Sequence, residues 1–233
     1  MKIELFADAE TVAQEGARII AAEARAAVAA RGRCIAAVSG GHTPWLMLRA
    51  LADQDVPWNG LHLVQVDERV TPVDSEERNL RHLREALLDH APLRPDQIYA
   101  MPVESPDLDV GAGSYALMLQ KIAGSPVVLD LVHLGLGPDG HTASLVPGDP
   151  VLEVTDRDVA PTGVYQGHRR MTLTYPILNR ARRILWVVTG KEKIEMLVRL
   201  RNGDTSLPAG RVCRDNALVI ADRAAAGDEA QAR

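Results

Sequence analysis

The chain has 233 residues, of which 46% are hydrophobic and 24% are charged, with a formal net charge of −5. This length and composition predict one globular domain over residues 1–233 and exclude general disorder. The acidic balance disfavours a nucleic-acid partner, whose phosphates require a basic surface.

The N-terminal sequence MKIELFADAE lacks the apolar core of a signal peptide, and no apolar stretch approaches the length of a membrane span. The two cysteines, Cys34 and Cys213, lie far apart in sequence, which suggests neither a metal site nor a disulfide framework. We therefore expect a cytoplasmic protein that acts without membrane contact.

Short apolar runs alternate with amphipathic segments along the whole chain. In chain order the pattern predicts a helix over 8–31, with Asp8 as N-cap and Gly32 as its end, followed by strand 34–38, helix 44–53, strand 61–66, helix 79–90, strand 98–101, helix 108–122, strand 127–134, strands 171–174 and 184–188, helix 191–201 and strand 217–220. After about residue 222 the sequence becomes small and polar, which predicts a frayed tail.

This alternation predicts an α/β fold with a mostly parallel central sheet and helices on both faces. In such sheets ligands bind beyond the carboxyl ends of the strands. The loops after Val38, Val66, Leu134 and Val188 are therefore the candidate functional loops.

The first of these loops joins a strand to a helix and contains paired glycines, Gly40 and Gly41, between Ser39 and Thr43. The glycines permit a close approach of the backbone to a ligand, and the free N–H groups of the next helix favour an anion. A tight turn without a ligand is the alternative interpretation.

The second loop carries three consecutive charged residues, Asp67, Glu68 and Arg69. On their own they are typical of a solvated loop. At the functional edge of a sheet, Arg69 could neutralise an anion or polarise a carbonyl, and Asp67 could orient a neighbouring group.

The third loop is glycine-rich, and its Gly135, Gly137 and Gly140 fit the GxGxxG pattern of dinucleotide-binding proteins. Pro138 inside the turn, and the prolines and glycines in the segment that follows over 145–163, argue against a nicotinamide cofactor.

The same loop places a histidine, His141, two residues after Asp139. Histidine is the side chain best suited to proton exchange near neutral pH, and Gly140 lets Asp139 fold back toward the imidazole. The Asp139-Gly140-His141 sequence therefore favours His141 as a general base that Asp139 orients.

The fourth element combines Arg170 with Gly190, Lys191 and Lys193 at a predicted strand-to-helix junction. A glycine followed by lysines suits phosphate capture, although helical lysines are usually solvated.

Together these segments resemble the 6-phosphogluconolactonase family, which shares its fold with glucosamine-6-phosphate deaminase. The similar pieces, in chain order, are SGGHTP (39–44), DERVTP (67–72) with Asn79 downstream, LGLGPDGHTASLVPG (134–148), RMTLTYPILN (170–179) and TGKEK (189–193).

The resemblance implies a single Rossmann-like α/β domain that hydrolyses a sugar-phosphate lactone as a monomer or weak homo-oligomer, with no metal or organic cofactor. It implies a water-activating role for His141 with Asp139 beside it, and roles in the sugar-acid site for Asp67 and Arg69. Phosphate binding is carried over to the remaining residues, Ser39, Gly40, Gly41, Thr43, Arg170 and Lys193. Arg78 stands where family members often have Ser, and the sequence leaves open which of Arg69, Arg78 and Arg170 contacts phosphate.

Two rival functions follow from the same fold. The related deaminases have an aromatic residue in place of Arg69 and a carboxylate after the Gly-His turn, where this chain has Ser144-Leu145-Val146-Pro147. A non-catalytic sugar-phosphate sensor would lose His141 or add a DNA-binding segment, and this chain does neither.

Overall fold

The computed structural model describes residues 1–227. Within these residues the strands are β1 (Lys2–Phe6), β2 (Cys34–Val38), β3 (Leu61–Gln65), β4 (Asp67–Arg69), β5 (Ile98–Tyr99), β6 (Leu131–Gly135), β7 (Val159–Pro161), β8 (Arg170–Leu173), β9 (Ile184–Val188) and β10 (Ala217–Asp222). The α-helices of the same range are α1 (Ala9–Arg31), α2 (His42–Leu51), α3 (Asn79–Leu83), α4 (Leu108–Ala123), α5 (Tyr175–Arg180), α6 (Ile194–Arg201) and α7 (Arg223–Ala226).

Seven of the described strands form a parallel sheet in the order β1-β10-β9-β6-β2-β3-β5. Helices cover both faces of the sheet. Successive side chains of a strand point to opposite faces, and here both sets are apolar, so each face is buried against helices. On β9, for example, Leu185 and Val187 pack in a cluster with α1 and α2, whereas Ile184 and Trp186 pack in a second cluster with α4 and α6. The predicted fold class is confirmed.

The first helix shows how local sequence sets these boundaries. The Asp8 carboxylate accepts the backbone N–H of Thr11 at 2.8 Å, and the helix ends at Gly32, whose φ of 75° lies in the left-handed region that glycine adopts without strain. Both ends match the prediction. In the described residues no helix combines the length and the apolar character needed to cross a membrane.

The four candidate loops converge because their strands are neighbours. Strands β9, β6, β2 and β3 are adjacent in the sheet and all run in the same direction, so their carboxyl ends meet at one edge. The chain reverses its strand order there, which makes this edge the expected ligand crevice.

A second, three-stranded antiparallel sheet, β4-β8-β7, stands beyond that edge. The segment predicted over 171–174 as part of the central sheet is β8 of this small sheet instead. The sequence prediction placed a loop at β4, because its three residues are all charged. It also lacked β1, an edge strand with partly exposed residues, and β7, which contains Pro161.

Three predicted elements differ in detail from the structure. Strand β6 begins at Leu131 rather than at 127, and just before it the Asp130 carboxylate accepts the N–H of Ile35 at 2.8 Å. The helix predicted over 79–90 consists of α3 and a π-helical turn, Arg84–Leu88. The helix predicted over 191–201 starts as a 3-10 turn, Lys191–Lys193, before α6.

The tail predicted to fray after about residue 222 begins with helix α7 instead. The Asp222 carboxylate caps it by accepting the N–H of Ala225 at 2.8 Å, and the Ala225 side chain is buried. The rest of that prediction, residues 228–233, lies outside the described residues.

Candidate active site

A cavity of about 320 Å³ lies at the carboxyl ends of β9, β6, β2 and β3, between the central sheet and the small antiparallel sheet. Nine of the ten predicted site residues line it: Ser39, Gly40, Gly41, Thr43, Asp67, Arg69, His141, Arg170 and Lys193. The tenth, Asp139, does not line the cavity and instead bonds Nδ1 of His141 through its carboxylate.

The first loop brings backbone and hydroxyl groups to the cavity. The Ser39 N–H donates to Nδ1 of the buried His133 at 3.2 Å, and the buried Ser39 Oγ has no hydrogen-bond partner in the described part of the chain. The Thr43 and Thr189 hydroxyls lie 2.6 Å apart and link this loop to the end of β9. At Gly40 a Cβ would lie 2.2 Å from Asn79 Oδ1, so only glycine fits there. The N-terminus of α2 therefore faces the cavity without an intervening side chain.

Strand β4 places Asp67 inward and ties it to the glycine-rich loop. The Asp67 carboxylate is buried, and its Oδ2 accepts the Ser144 hydroxyl at 2.5 Å. The neighbouring Ala143 has φ 52°, a left-handed conformation unusual for a residue other than glycine. This strained turn is what aims Ser144 at Asp67.

The Glu68 carboxylate links strand β4 to the start of helix α3. Its carboxylate is fully buried and accepts the side-chain amide of Gln65 together with the backbone N–H groups of Arg69, Asn79 and Leu80, all at 2.8–2.9 Å. It therefore caps the N-terminus of α3 and fixes the backbone on both sides of the cavity wall.

Arg78 does not contribute a cation to the cavity. Its side chain is buried, its Nη2 donates to Glu104 at 2.6 Å, its Nη1 donates to the Thr71 carbonyl at 2.8 Å, and its Nε lies 3.6 Å from Glu68. Of the three arginines that the sequence left open, Arg69 and Arg170 reach the cavity and Arg78 is structural.

Arg69 and Arg170 stand opposite each other as a cross-strand pair of β4 and β8. Within residues 1–227, the Nε atom of each guanidinium is buried without a hydrogen-bond partner. Burial lowers the pKa of Arg170, an effect that the nearby Asp67 charge partly offsets and Arg69 reinforces. Two facing guanidinium groups with unused donors form a site for an anion or for a polarised carbonyl oxygen.

His141 and Asp139 form a hydrogen-bonded pair at the glycine-rich turn. Asp139 Oδ1 lies 2.6 Å from His141 Nδ1 and also accepts the His141 backbone N–H at 3.1 Å. A Cβ at Gly137 would lie 2.1 Å from His141 Nδ1, so the imidazole sits where only glycine leaves room. Gly140, with φ 83°, makes the turn that lets the two side chains meet.

The charge state of Asp139 fixes the tautomer of His141. Burial acts to raise the pKa of the Asp139 carboxyl, but the His141 charge, its two hydrogen bonds and a hydrogen bond from Tyr165 together lower the pKa below its ordinary value. An ionised carboxylate only accepts, so the neutral form of His141 carries its proton on Nδ1 and keeps the lone pair on Nε2. His141 is thereby set up as a base.

Tyr165, which the sequence analysis did not single out, contacts both members of this pair. Its hydroxyl donates to Asp139 Oδ2 at 2.9 Å and lies 3.4 Å from His141 Nδ1. The sequence signal was weak: a tyrosine two residues before a glycine in a loop.

Lys193 lies across the cavity, at the end of the 3-10 turn after β9, with 18% of its side chain exposed. Its Nζ is 3.9 Å from the Glu192 carboxylate, which also lines the cavity. Gly190 opens this turn with φ 95° and donates its N–H to the buried Asp222 carboxylate at 3.1 Å. This arrangement places the Lys193 side chain in the lining of the same cavity as the first loop.

The glycine-rich turn does not have the structure of a dinucleotide site. The GxGxxG fingerprint requires a helix that starts at the third glycine. Here Thr142 and Leu145 close a tight turn after Gly140, and the next helical segment is a 3-10 turn, Pro150–Glu153. Across residues 1–227, no group of three or more His, Cys, Asp or Glu side chains is arranged to hold a metal ion.

The comparisons with known proteins agree on one family. The family model described as glucosamine-6-phosphate isomerases/6-phosphogluconolactonase matches residues 7–220. The 6-phosphogluconolactonase of Synechocystis sp. is 41% identical over 171 residues, which cover 72% of this chain and 71% of that protein. The 6-phosphogluconolactonase of Mycobacterium tuberculosis is 38% identical over 239 residues and 96% of both chains.

A solved structure supports the same assignment. The crystal structure of 6-phosphogluconolactonase from Thermotoga maritima superposes with a TM-score of 0.84 at 28% identity, over 95% of this chain and 98% of that one. With the family match over residues 7–220, these findings place the protein: it belongs to the glucosamine-6-phosphate isomerase/6-phosphogluconolactonase family.

Proposed function

We propose that the protein hydrolyses 6-phospho-D-glucono-1,5-lactone to 6-phosphogluconate, the second step of the oxidative pentose phosphate pathway. The observation that carries the proposal is the Asp139–His141 pair, which presents a basic imidazole nitrogen to a cavity that also holds Arg69, Arg170 and Lys193. The relatives named 6-phosphogluconolactonase support the same reaction.

The chemistry needs a base, a stabilised oxyanion and an acid. His141 Nε2 takes a proton from water as the water oxygen attacks C1 of the lactone, and the carbonyl becomes an oxyanion. The C1–O5 bond then breaks, the imidazolium returns its proton to O5, and the new carboxylic acid ionises. General-base assistance of this kind contributes about 10²–10⁴-fold to the rate.

The cations of the cavity divide into two groups in this proposal. Arg69 and Arg170, the facing pair on the small sheet, stabilise negative charge on the substrate and on the oxyanion. Lys193 and the first loop, with the free N–H groups of α2, bind the phosphate and hold C1 next to His141. Asp67, fixed by Ser144, orients the sugar-acid hydroxyls.

Lactone hydrolysis fits this cavity better than deamination of an amino sugar. Ring opening of the amino sugar uses a carboxylate after the Gly-His turn, and the residues at 144–147 here carry none. The first of them, Ser144, is buried and already bound to Asp67. Metal independence is part of the proposal, and activity is expected to survive dialysis against a chelator.

The test follows 6-phosphogluconolactone generated in situ, with and without the purified protein. We expect acceleration by the wild type and a loss of about 10²–10⁴-fold in kcat for His141→Ala with little change in KM. Near-normal kcat in this variant would show that His141 is not the base. No acceleration by folded wild type, together with ammonia release from glucosamine 6-phosphate, would replace the lactonase with a deaminase.

A further inference from the structure

We propose that Tyr165 is a positioning residue of this site: its hydroxyl holds the Asp139 carboxylate in the plane that aligns His141, and its ring supports Arg170. This inference rests on the proposed lactone hydrolysis for the reaction that it serves. Its structural content, the alignment of an imidazole, can be tested without substrate.

The Tyr165 hydroxyl donates to the Asp139 carboxylate oxygen that does not bond the His141 ring. Oδ1 of Asp139 receives the His141 Nδ1 proton at 2.6 Å, and Oδ2 receives the Tyr165 hydroxyl at 2.9 Å. The Asp139 side chain is 35% exposed, so packing alone does not stop the carboxylate from rotating. The second hydrogen bond fixes that rotation, and with it the direction in which His141 Nε2 points.

The direction of this hydrogen bond is determined by charge. Burial raises the pKa of the Tyr165 hydroxyl, and the adjacent Asp139 raises it further, so the hydroxyl stays protonated and donates. The donated bond in turn favours the ionised form of Asp139. An ionised Asp139 keeps the proton of neutral His141 on Nδ1, as the general-base mechanism requires.

The ring of Tyr165 makes two further contacts within the site. It meets the His141 imidazole edge-on, with 5.4 Å between ring centroids and a 67° interplanar angle. The Arg170 guanidinium lies over its face, 5.0 Å from the centroid. Tyr165 thus touches the base and one of the cavity cations at once, and the hydroxyl and the ring serve separate parts of the site.

A tight hairpin turn delivers Tyr165 to this position. Tyr165 and His168 exchange two backbone hydrogen bonds, at 3.0 and 3.2 Å, across Gln166 and Gly167. Both central residues have positive φ, 50° and 85°, as in a type I′ turn. Because this turn leads directly into β8, the position of Tyr165 is coupled to that of Arg170 on the same hairpin.

The experiment separates the hydroxyl from the ring. Tyr165→Phe removes only the hydroxyl and is expected to lower kcat about tenfold with KM nearly unchanged. Tyr165→Ala also removes the surface under Arg170 and is expected to raise KM about tenfold in addition. Tyr99→Phe is the matched control, since the Tyr99 hydroxyl also bonds a histidine ring, His62 Nδ1 at 3.0 Å, away from the cavity; it is expected to leave both constants unchanged.

A double-mutant cycle tests whether the hydroxyl acts through the carboxylate. In an Asp139→Ala background, Tyr165→Phe is expected to have no further effect on kcat, because the group that it holds is gone. An undiminished tenfold loss in that background, or unchanged kcat in the single variant, would overturn the proposal.

A second readout needs no substrate. The NMR resonance of the His141 Nδ1 proton reports the length and alignment of its bond to Asp139, and we expect it to shift upfield and to exchange faster with water in Tyr165→Phe than in the wild type. An unchanged resonance and exchange rate of the Nδ1 proton in the variant would overturn the positioning role. If the wild type fails to hydrolyse the lactone, the proposed function fails, while the NMR result still decides the role of Tyr165.

Discussion

The backbone of Gly137 passes so close to the imidazole of His141 that the smallest possible side chain would displace it. A Cβ built at Gly137 would lie 2.1 Å from Nδ1, 2.3 Å from Cε1 and 2.6 Å from Cγ of His141. Alanine suits the backbone itself, since Gly137 is not among the glycines with positive φ. The Gly137→Ala substitution therefore acts on the position of the base rather than on the fold.

The size of the effect follows from these distances. To restore even the 3.0 Å that real Cβ contacts allow, the ring has to move by at least 0.9 Å from its present 2.1 Å. A shift of that size directed away from Asp139 lengthens the 2.6 Å separation between Nδ1 and Asp139 Oδ1 to about 3.5 Å, at the limit of hydrogen bonding. A misplacement of about 1 Å in a catalytic group costs on the order of 10²-fold in rate.

Steady-state kinetics on the lactone, with thermal unfolding in parallel, measures this prediction. We expect kcat to fall about 100-fold, KM to change little and the melting temperature to stay close to that of the wild type. Gly113→Ala is the control, since the residue lies on α4 and a Cβ there meets no atom of residues 1–227 within 4 Å. Near-normal kcat in Gly137→Ala, or a loss of activity that only follows a loss of folded protein, would refute the reasoning.

Three other substitutions test separate parts of the structure. Lys193→Ala is expected to raise KM at least about tenfold and to change kcat by no more than about threefold, since the ammonium binds the phosphate, which is remote from the reacting carbonyl. Lys191→Ala changes a lysine of the same 3-10 turn that lies outside the cavity, and it is expected to leave KM and kcat unchanged. Equal effects of the two substitutions would contradict the phosphate role of Lys193. Glu68→Gln is expected to lower the free energy of unfolding in denaturant by about 3 kcal/mol, because it removes the charge from a buried carboxylate that accepts several hydrogen bonds and lies near Arg78. An unchanged free energy of unfolding would show that these interactions do not need the charge of Glu68. Burial lowers the pKa of His133 from 6.5 to about 3. Between these two pH values the unfolded chain binds a proton at this residue that the folded chain does not bind, so the free energy of unfolding decreases as the pH falls from 6.5 toward 3. His133→Asn, whose Oδ1 replaces the acceptor for the Ser39 N–H, is expected to flatten this slope in unfolding measured at several pH values; an unaltered slope would assign it to other groups.

The convergence of the site could be predicted from the sequence because it follows from strand direction alone. Apolar runs ending at Val38 and Val188 marked parallel strands, and the polar residues after them had to meet at one edge. Glycines that need positive φ or close approach, such as Gly140, gave the second clear signal. The fold class and the family followed from these features.

The small antiparallel sheet could not be predicted in the same way. Its strand β4 consists of charged residues whose burial depends on partners distant in sequence: Glu68 on the backbone of α3, and Arg69 opposite Arg170. The roles of Arg78 and Tyr165 likewise depend on contacts with Glu104 and Asp139 that no local pattern encodes. The single domain, the cytoplasmic location and the monomeric or weakly oligomeric state stay predictions.

The facing pair of Arg69 and Arg170 has a consequence for how the protein can evolve or be engineered. Like charges on directly opposed positions of a sheet repel, and neither buried Nε has a hydrogen-bond partner among the residues that the structure describes, so this register costs the folded chain free energy. A bound anion relieves that cost, so affinity and ligand-dependent stabilisation are thermodynamically linked. Substitutions that replace one of the two arginines are therefore expected to stabilise the ligand-free fold and to remove the anion site at the same time.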